Sequence, residues 1–308
     1  MYKLSLPIAL LFILTAGCTQ ATGDPTPTPT GAPVSTPTGA PTDAPAPGVS
    51  AITIKGKTYK TDLTELHLYG SERSEVDGKI VHVPVRNLTN QDIEPISQMI
   101  NLEQLTLGAN QITDVGPLRE LTGLKKLWLM YNPISDISPL QGLTGLEALD
   151  LDNTQVGDIS ALSGMHDMWY LNLSGAPVTD FSPLQGLRGL RSLWLVDCQI
   201  SDAEPFREFA NVESLYLRDN QISDASPFQG MVNLTSLSLN NNRISDASPF
   251  QSMDNLTELN LSGNQISDIE PLKQMTHLKG LSIYDNPLSQ EQLDELTAAL
   301  PECEVYAN

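Results

Sequence analysis

From residue 101 onward, leucine returns with a fixed period of 22 residues. Units begin at Asn101, Gly123, Gly145, Asp167, Gly189, Asn211, Asn233, Asn255 and His277. The fifth position of every unit is leucine, from Leu105 to Leu281; the seventh is leucine until Ile283 replaces it in the last unit. The twelfth is aliphatic throughout, from Ile112 to Leu288. Positions five and seven differ by two, so both side chains leave one face of a short strand. A single unit cannot bury that face. Stacking units about 4.8 Å apart buries one continuous apolar column and builds a parallel sheet. The pattern predicts an α/β repeat solenoid, with the sheet on its concave side. The tenth position is asparagine in six units (Asn110, Asn132, Asn220, Asn242, Asn264, Asn286), a buried amide able to bond the backbone where the chain leaves the strand. Proline recurs at position seventeen, from Pro117 to Pro271, which predicts one 3₁₀-like turn per unit on the convex side.

The pattern L-x-x-L-x-L-x-x-N-x-I over residues 101–112 resembles the leucine-rich repeat. The 22-residue period and the tail Ser135-Asp136-Ile137-Ser138-Pro139-Leu140 resemble the internalin type found in bacterial surface proteins. The resemblance covers about residues 60 to 308 and implies a right-handed superhelix whose concave face grips protein ligands. Fold alone does not fix function.

The register divides the chain. Nine repeats span 101–288. Residues 51–100 form an N-terminal cap with an irregular first repeat, where an insert at 71–86 breaks the period. Residues 289–308 form a C-terminal cap: Ser289 and Gln292 have capping-box spacing, and a small helix follows through Leu293, Leu296 and Leu300 to Pro301. Core volume offers a check on the register. Positions fifteen and eighteen are Ile and Leu in units two and three but Ala203/Phe206, Ala225/Phe228 and Ala247/Phe250 in units five to seven. A smaller residue accompanies each larger one, as expected where two side chains share space.

The first residues stand apart from the fold. One lysine, an apolar run over 4–14 and small residues read as a signal peptide over 1–17. Ala16-Gly17 before Cys18 resembles the lipobox of bacterial lipoproteins, which implies lipidation of Cys18 and an extracytoplasmic, membrane-anchored protein. Residues 18–50 are rich in proline, threonine and alanine, too poor in apolar surface to fold, and read as a stalk. Cys198 and Cys303 lie several repeats apart, so no disulfide is expected.

Charge narrows the partners. With 17 Lys and Arg against 37 Asp and Glu, the formal net charge is −20, which argues against nucleic acid and against an anionic membrane as direct partners. The membrane is reached only through Cys18, and the protein is expected to act as a monomer. No Gly-rich phosphate loop or metal-spaced His/Cys cluster is present, and the four histidines are scattered, so neither catalysis nor a cofactor is expected. Aspartate recurs at position fourteen from Asp114 to Asp268. Such a column could attract Ca²⁺, but it precedes each proline turn, where a carboxylate caps backbone amides; capping is the better reading and no metal is expected.

The informative departures lie at strand positions four, six and eight, which should face outward on the concave side. Position six carries Trp128, Asp150, Trp194 and Tyr216; position eight carries Met130, Asp152 and Arg218. Tyr170 stands at position four with Trp169 beside it, and Tyr131 and Asp197 occupy the rim at position nine. Trp128 and Trp194 should stand about 14 Å apart on one column. Aromatic side chains flanked by charge suit a protein or peptide ligand. They would also suit a carbohydrate, the alternative reading, and a purely structural envelope role is a third.

Overall fold

The computed structural model describes residues 50–76, 79–84 and 87–307. Within it the repeat leucines do what their spacing dictates. An 11-stranded parallel sheet runs through β3 (Glu65–His67), β6 (Gln104–Thr106), β7 (Lys126–Trp128), β8 (Ala148–Asp150), β9 (Tyr170–Asn172), β10 (Ser192–Trp194), β11 (Ser214–Tyr216), β12 (Ser236–Ser238), β13 (Glu258–Asn260), β14 (Gly280–Ser282) and β15 (Glu304–Tyr306). The register is unshifted: Leu105 pairs with Leu127, Leu127 with Leu149, and so on to Leu281 beside Val305. The position-five and position-seven leucines are buried in one core with the aliphatic residues at position twelve from Ile112 to Ile266, and Leu288 packs half-buried against it. Each such side chain stabilises the stack by about 1.5–3 kcal/mol relative to exposure.

The asparagine ladder forms as expected. In Asn220, Nδ2 donates to Leu195 O and Leu217 O, both at 2.8 Å, while Oδ1 accepts from the amides of Cys198 and Ile200. One side chain thereby ties two repeats. At the three departures the tie is lost or weakened. The Thr154 hydroxyl reaches only Leu151 O of its own repeat, the Ala176 side chain has no polar atom, and the Cys198 thiol donates to Leu173 O at 3.3 Å.

On the convex side the first seven repeats each make a 3₁₀ turn, from Gly116–Leu118 to Ser248–Ser252, while the eighth makes a single α-turn, Glu270–Lys273. The aspartates at position fourteen cap these turns. Asp136 Oδ1 accepts the Ser138 amide at 2.8 Å, and the same bond recurs from Asp114 to Asp268. Among the described residues no group of three His, Cys, Asp or Glu could hold a metal ion. Phe206, Phe228 and Phe250 are fully buried, and Ala203, Ala225 and Ala247 are buried in the same core.

Both ends are closed. The capping box of Ser289 and Gln292 starts the helix Gln290–Ala299, and β15 follows. At the other end β1 (Ala51–Ile54) and β2 (Lys57–Lys60) form an antiparallel hairpin turned at Lys55 and Gly56, both with positive φ. The inserted segment is a second hairpin, β4 (Ser71–Val76) paired with β5 (Lys79–Pro84). It widens the spacing between paired strands from 22 residues to the 39 that separate Leu66 from Leu105. Cys198 and Cys303 are both free. No described helix is long and apolar enough to cross a membrane.

Candidate functional site on the concave face

Each repeat strand from β6 to β14 turns into the next segment through position nine, and at all nine positions φ is positive, between 53° and 67°. Glycine, asparagine or aspartate, the residues that tolerate this region, occupy seven of them; Ala109 and Tyr131 are the departures. A bulky side chain in this conformation carries local strain. It also aims the Tyr131 ring away from the core, and Tyr131 is 51% exposed.

The patch residues of repeats two to four gather around Asp150. This differs from the expected row of exposed rings. Trp128 is 9% exposed, Tyr170 6% and Asp150 7%. The cause is strand spacing: wide rings on strands about 4.8 Å apart cover the smaller side chain between them. Trp128 meets Tyr170 edge-on at 5.7 Å across the strand that carries Asp150, and Trp169 tilts onto Tyr170 at the same separation. Asp150 Oδ1 accepts the Asp152 amide at 2.9 Å; the Tyr170 hydroxyl and Asn172 amide approach Oδ2 at 3.5 and 3.4 Å. Burial pushes the Asp150 carboxyl up to about 7; the Asp152 amide opposes this and the Asp152 charge adds to it. Asp152 is also raised by burial, against hydrogen bonds from Tyr131 and Asn153. Burial and the Asp152 charge push the Tyr131 phenol up to about 12, and burial raises Tyr170 as well.

Tyr69 joins this cluster from outside the regular repeats. A Cβ on Gly108 would stand 2.6 Å from both the Tyr69 ring and the Met130 sulfur, so the bare position eight of the first repeat is the seat for both. Burial and the charges of Asp150 and Asp152 raise the Tyr69 phenol. Only that missing side chain hinted at Tyr69 in the sequence.

The remaining patch residues form a second group. Trp194 stacks on Tyr216, and its Nε1 donates to Ser192 Oγ at 3.1 Å. Arg218 is exposed and pairs with Asp219 at 3.6 Å; Asp197 is exposed on the rim. Trp128 and Trp194 thus belong to separate aromatic pairs. Tyr284 and Tyr306, missed in the sequence, are exposed at the C-terminal end of the same sheet. Cys18 lies outside the described residues, and so do the side chains of 71–86.

The family described as "Leucine Rich repeats (2 copies)" matches residues 122–164, 210–252 and 254–298. Internalin C2 of Listeria monocytogenes is 32% identical over 61% of this chain and 83% of its own, with a TM-score of 0.57. The chain belongs to the internalin-like leucine-rich-repeat proteins. A second internalin of Listeria monocytogenes (inlF) is 27% identical over 82% of this chain and 85% of that one, with a TM-score of 0.57. A leucine-rich-repeat protein of Leptospira interrogans shares the fold at 22% identity over 70% and 62% of the two chains, with a TM-score of 0.61. No curated protein matches the sequence. As an internalin-like protein, the chain has a scaffold typically used to bind other proteins rather than to catalyse reactions.

Proposed function

We propose that this protein is an envelope-anchored bacterial receptor or adhesin that holds a protein or peptide ligand on the concave face of repeats two to six. In this reading residues 1–17 direct export, lipidated Cys18 anchors the chain, and 18–50 hold the solenoid away from the membrane. The observation that carries the reading is the surface itself. Exposed Tyr131, Asp197 and Arg218 and half-buried Met130, Asp152, Trp169, Trp194 and Tyr216 crown a rigid base of Trp128, Tyr170 and Asp150. Aromatic side chains held by packing make effective interface anchors, because little rotamer freedom is lost on binding.

The test is the full chain and a Tyr131→Ala/Arg218→Ala variant, matched in melting temperature, on surface-protein and glycan arrays. A protein ligand that binds the parent and is lost in the variant supports the reading. A glycan lost in the same way establishes the carbohydrate alternative. Ligands retained equally by both forms overturn the assignment of this face.

A further inference from the structure

We infer that Asp150 is a proton-operated latch: with its proton it holds repeats two to four together across the gap in the asparagine ladder, and without the proton these repeats open locally far more often. The device belongs to the solenoid itself and operates whatever ligand the concave face takes.

Two features coincide. Among the described residues Asp150 is the only buried carboxylate or cationic side chain. It also sits where the ladder lacks asparagine. Position ten is Thr154 in repeat three and Ala176 in repeat four, so the amides that would tie repeat three to two and repeat four to three are missing. On the concave face Asp150 spans those same two junctions. Trp128 of repeat two and Tyr170 of repeat four meet over it, and the Tyr170 hydroxyl and Asn172 amide reach its Oδ2 from repeat four. These contacts suit a neutral carboxyl. Only Oδ1 has a short bond, from the Asp152 amide at 2.9 Å; those to Oδ2 are 3.5 and 3.4 Å long. An anion there would be buried with one strong donor and repelled by the Asp152 carboxylate two residues on. A switch needs a change of charge and an element weak enough to respond to it, and both lie at this place.

The groups around Asp150 set the direction. Its own segment supplies Asp152, and β9 supplies the Tyr170 phenol and Asn172 amide. β7 supplies Trp128, whereas Lys126 on that strand stands beside Ala148. The Tyr131 and Tyr69 phenols lie within the field of Asp150, and Arg218 acts on Asp152. Burial raises all three phenols, so near neutrality only the carboxyls change state. In the closed form burial keeps the Asp150 proton up to about 7; in an opened segment the solvated carboxyl returns to the ordinary aspartate range. Closure is therefore favoured at acid pH, and its advantage is lost as pH rises through about 7. Because opening releases one proton, its equilibrium constant grows by at most about tenfold per pH unit and levels off above that point.

Amide hydrogen exchange of the full chain, followed by mass spectrometry from about pH 5 to 8 and corrected for intrinsic rates, reads this opening. Segments 148–156 and 170–178 should open up to about tenfold more for each pH unit and level off above about 7. The asparagine-tied segments 236–244 and 258–266 should stay flat. Asp150→Asn, nearly isosteric and unable to ionise, should flatten the first two segments as well. A rise shared equally by all four segments, no rise at all, or the same rise in Asp150→Asn overturns the inference. Should Asp150→Asn fail to fold, the comparison of segments within the parent still decides. Trp128 emission in a Trp169→Phe/Trp194→Phe chain gives a second reading: a shift to longer wavelength between about pH 6 and 8 supports the latch, and a constant emission overturns it.

Discussion

The indole of Trp194 lies on the ring of Tyr216, centroids 3.8 Å apart and planes 21° from parallel, although the two belong to adjacent repeats. The stack fixes both rings before any ligand arrives. Aromatic pairs contribute about 0.5–1.5 kcal/mol beyond the area they bury. Tyr216→Ala should therefore lower stability by at least about that amount and leave Trp194 more exposed. Urea unfolding and tryptophan emission check this; an unshifted emission maximum in a Trp128→Phe/Trp169→Phe background would show that the stack does not hold the indole.

Ala225 and Phe228 are buried in one core, as are the matching pairs in the neighbouring repeats, and the small residue that accompanies each large one points to a shared space. Ala225→Ile should overpack the core by about 1–3 kcal/mol, and Ala225→Ile/Phe228→Leu should recover most of the loss. Thermal melts decide the matter: a single variant as stable as the parent would mean the two side chains do not compete.

The ladder can be broken and extended. Asn220→Ala strands backbone groups of two repeats and should cost at least about 2 kcal/mol, since each buried unpaired group costs about 1–3. Thr154→Asn should restore the missing tie between repeats two and three and raise the melting temperature. Calorimetry on both variants tests the pair; a destabilising Thr154→Asn would show that the local backbone has settled around threonine.

Stability should fall on both sides of a mildly acidic optimum. Backbone hydrogen bonds lower the carboxyls of Asp136, Asp158, Asp180 and Asp224, so their contribution is present above the ordinary aspartate range and is lost as pH falls through it. Asp150 acts oppositely. Its carboxyl, raised to about 7, keeps a proton that the unfolded chain has already released. Stability then declines as pH rises from about 4 to 7 and levels off above. Asp150→Asn should remove that decline and raise the melting temperature at pH 8; an identical profile in the variant would place the titration elsewhere.

Much of this molecule could be read from spacing. Leu105 to Leu281, Asn110 to Asn286 and Pro117 to Pro271 repeat a local environment, so one unit's physics predicts all the others. The position-nine turn is equally legible in Asn153, Gly175, Asp219, Asn241 and Gly263, a run of residues suited to positive φ. The hairpin at Ile52, Ile54 and Lys55-Gly56 escaped because its alternation is short. The burial of Trp128, Tyr170 and Asp150 was not accessible at all. Alternation tells which face a side chain leaves, whereas its exposure depends on the width of the residue one strand away.

The interrupted ladder bears on how the solenoid would yield under load. Asn110 and Asn132 fasten the first repeats, Asn220 to Asn286 the last, and between them Thr154, Ala176 and Cys198 leave strand pairing, apolar packing and individual side-chain bonds, such as Asn172 to Asp150 and the Val196 amide to Ser174, to hold the joint. In a linear array each unit leans only on its neighbours, so local opening starts at the slackest joint. That joint lies directly behind Asp150 and Trp194. A molecule seated across both aromatic groups would act as a splint over the seam, and its grip would be felt as resistance to pulling the two halves apart.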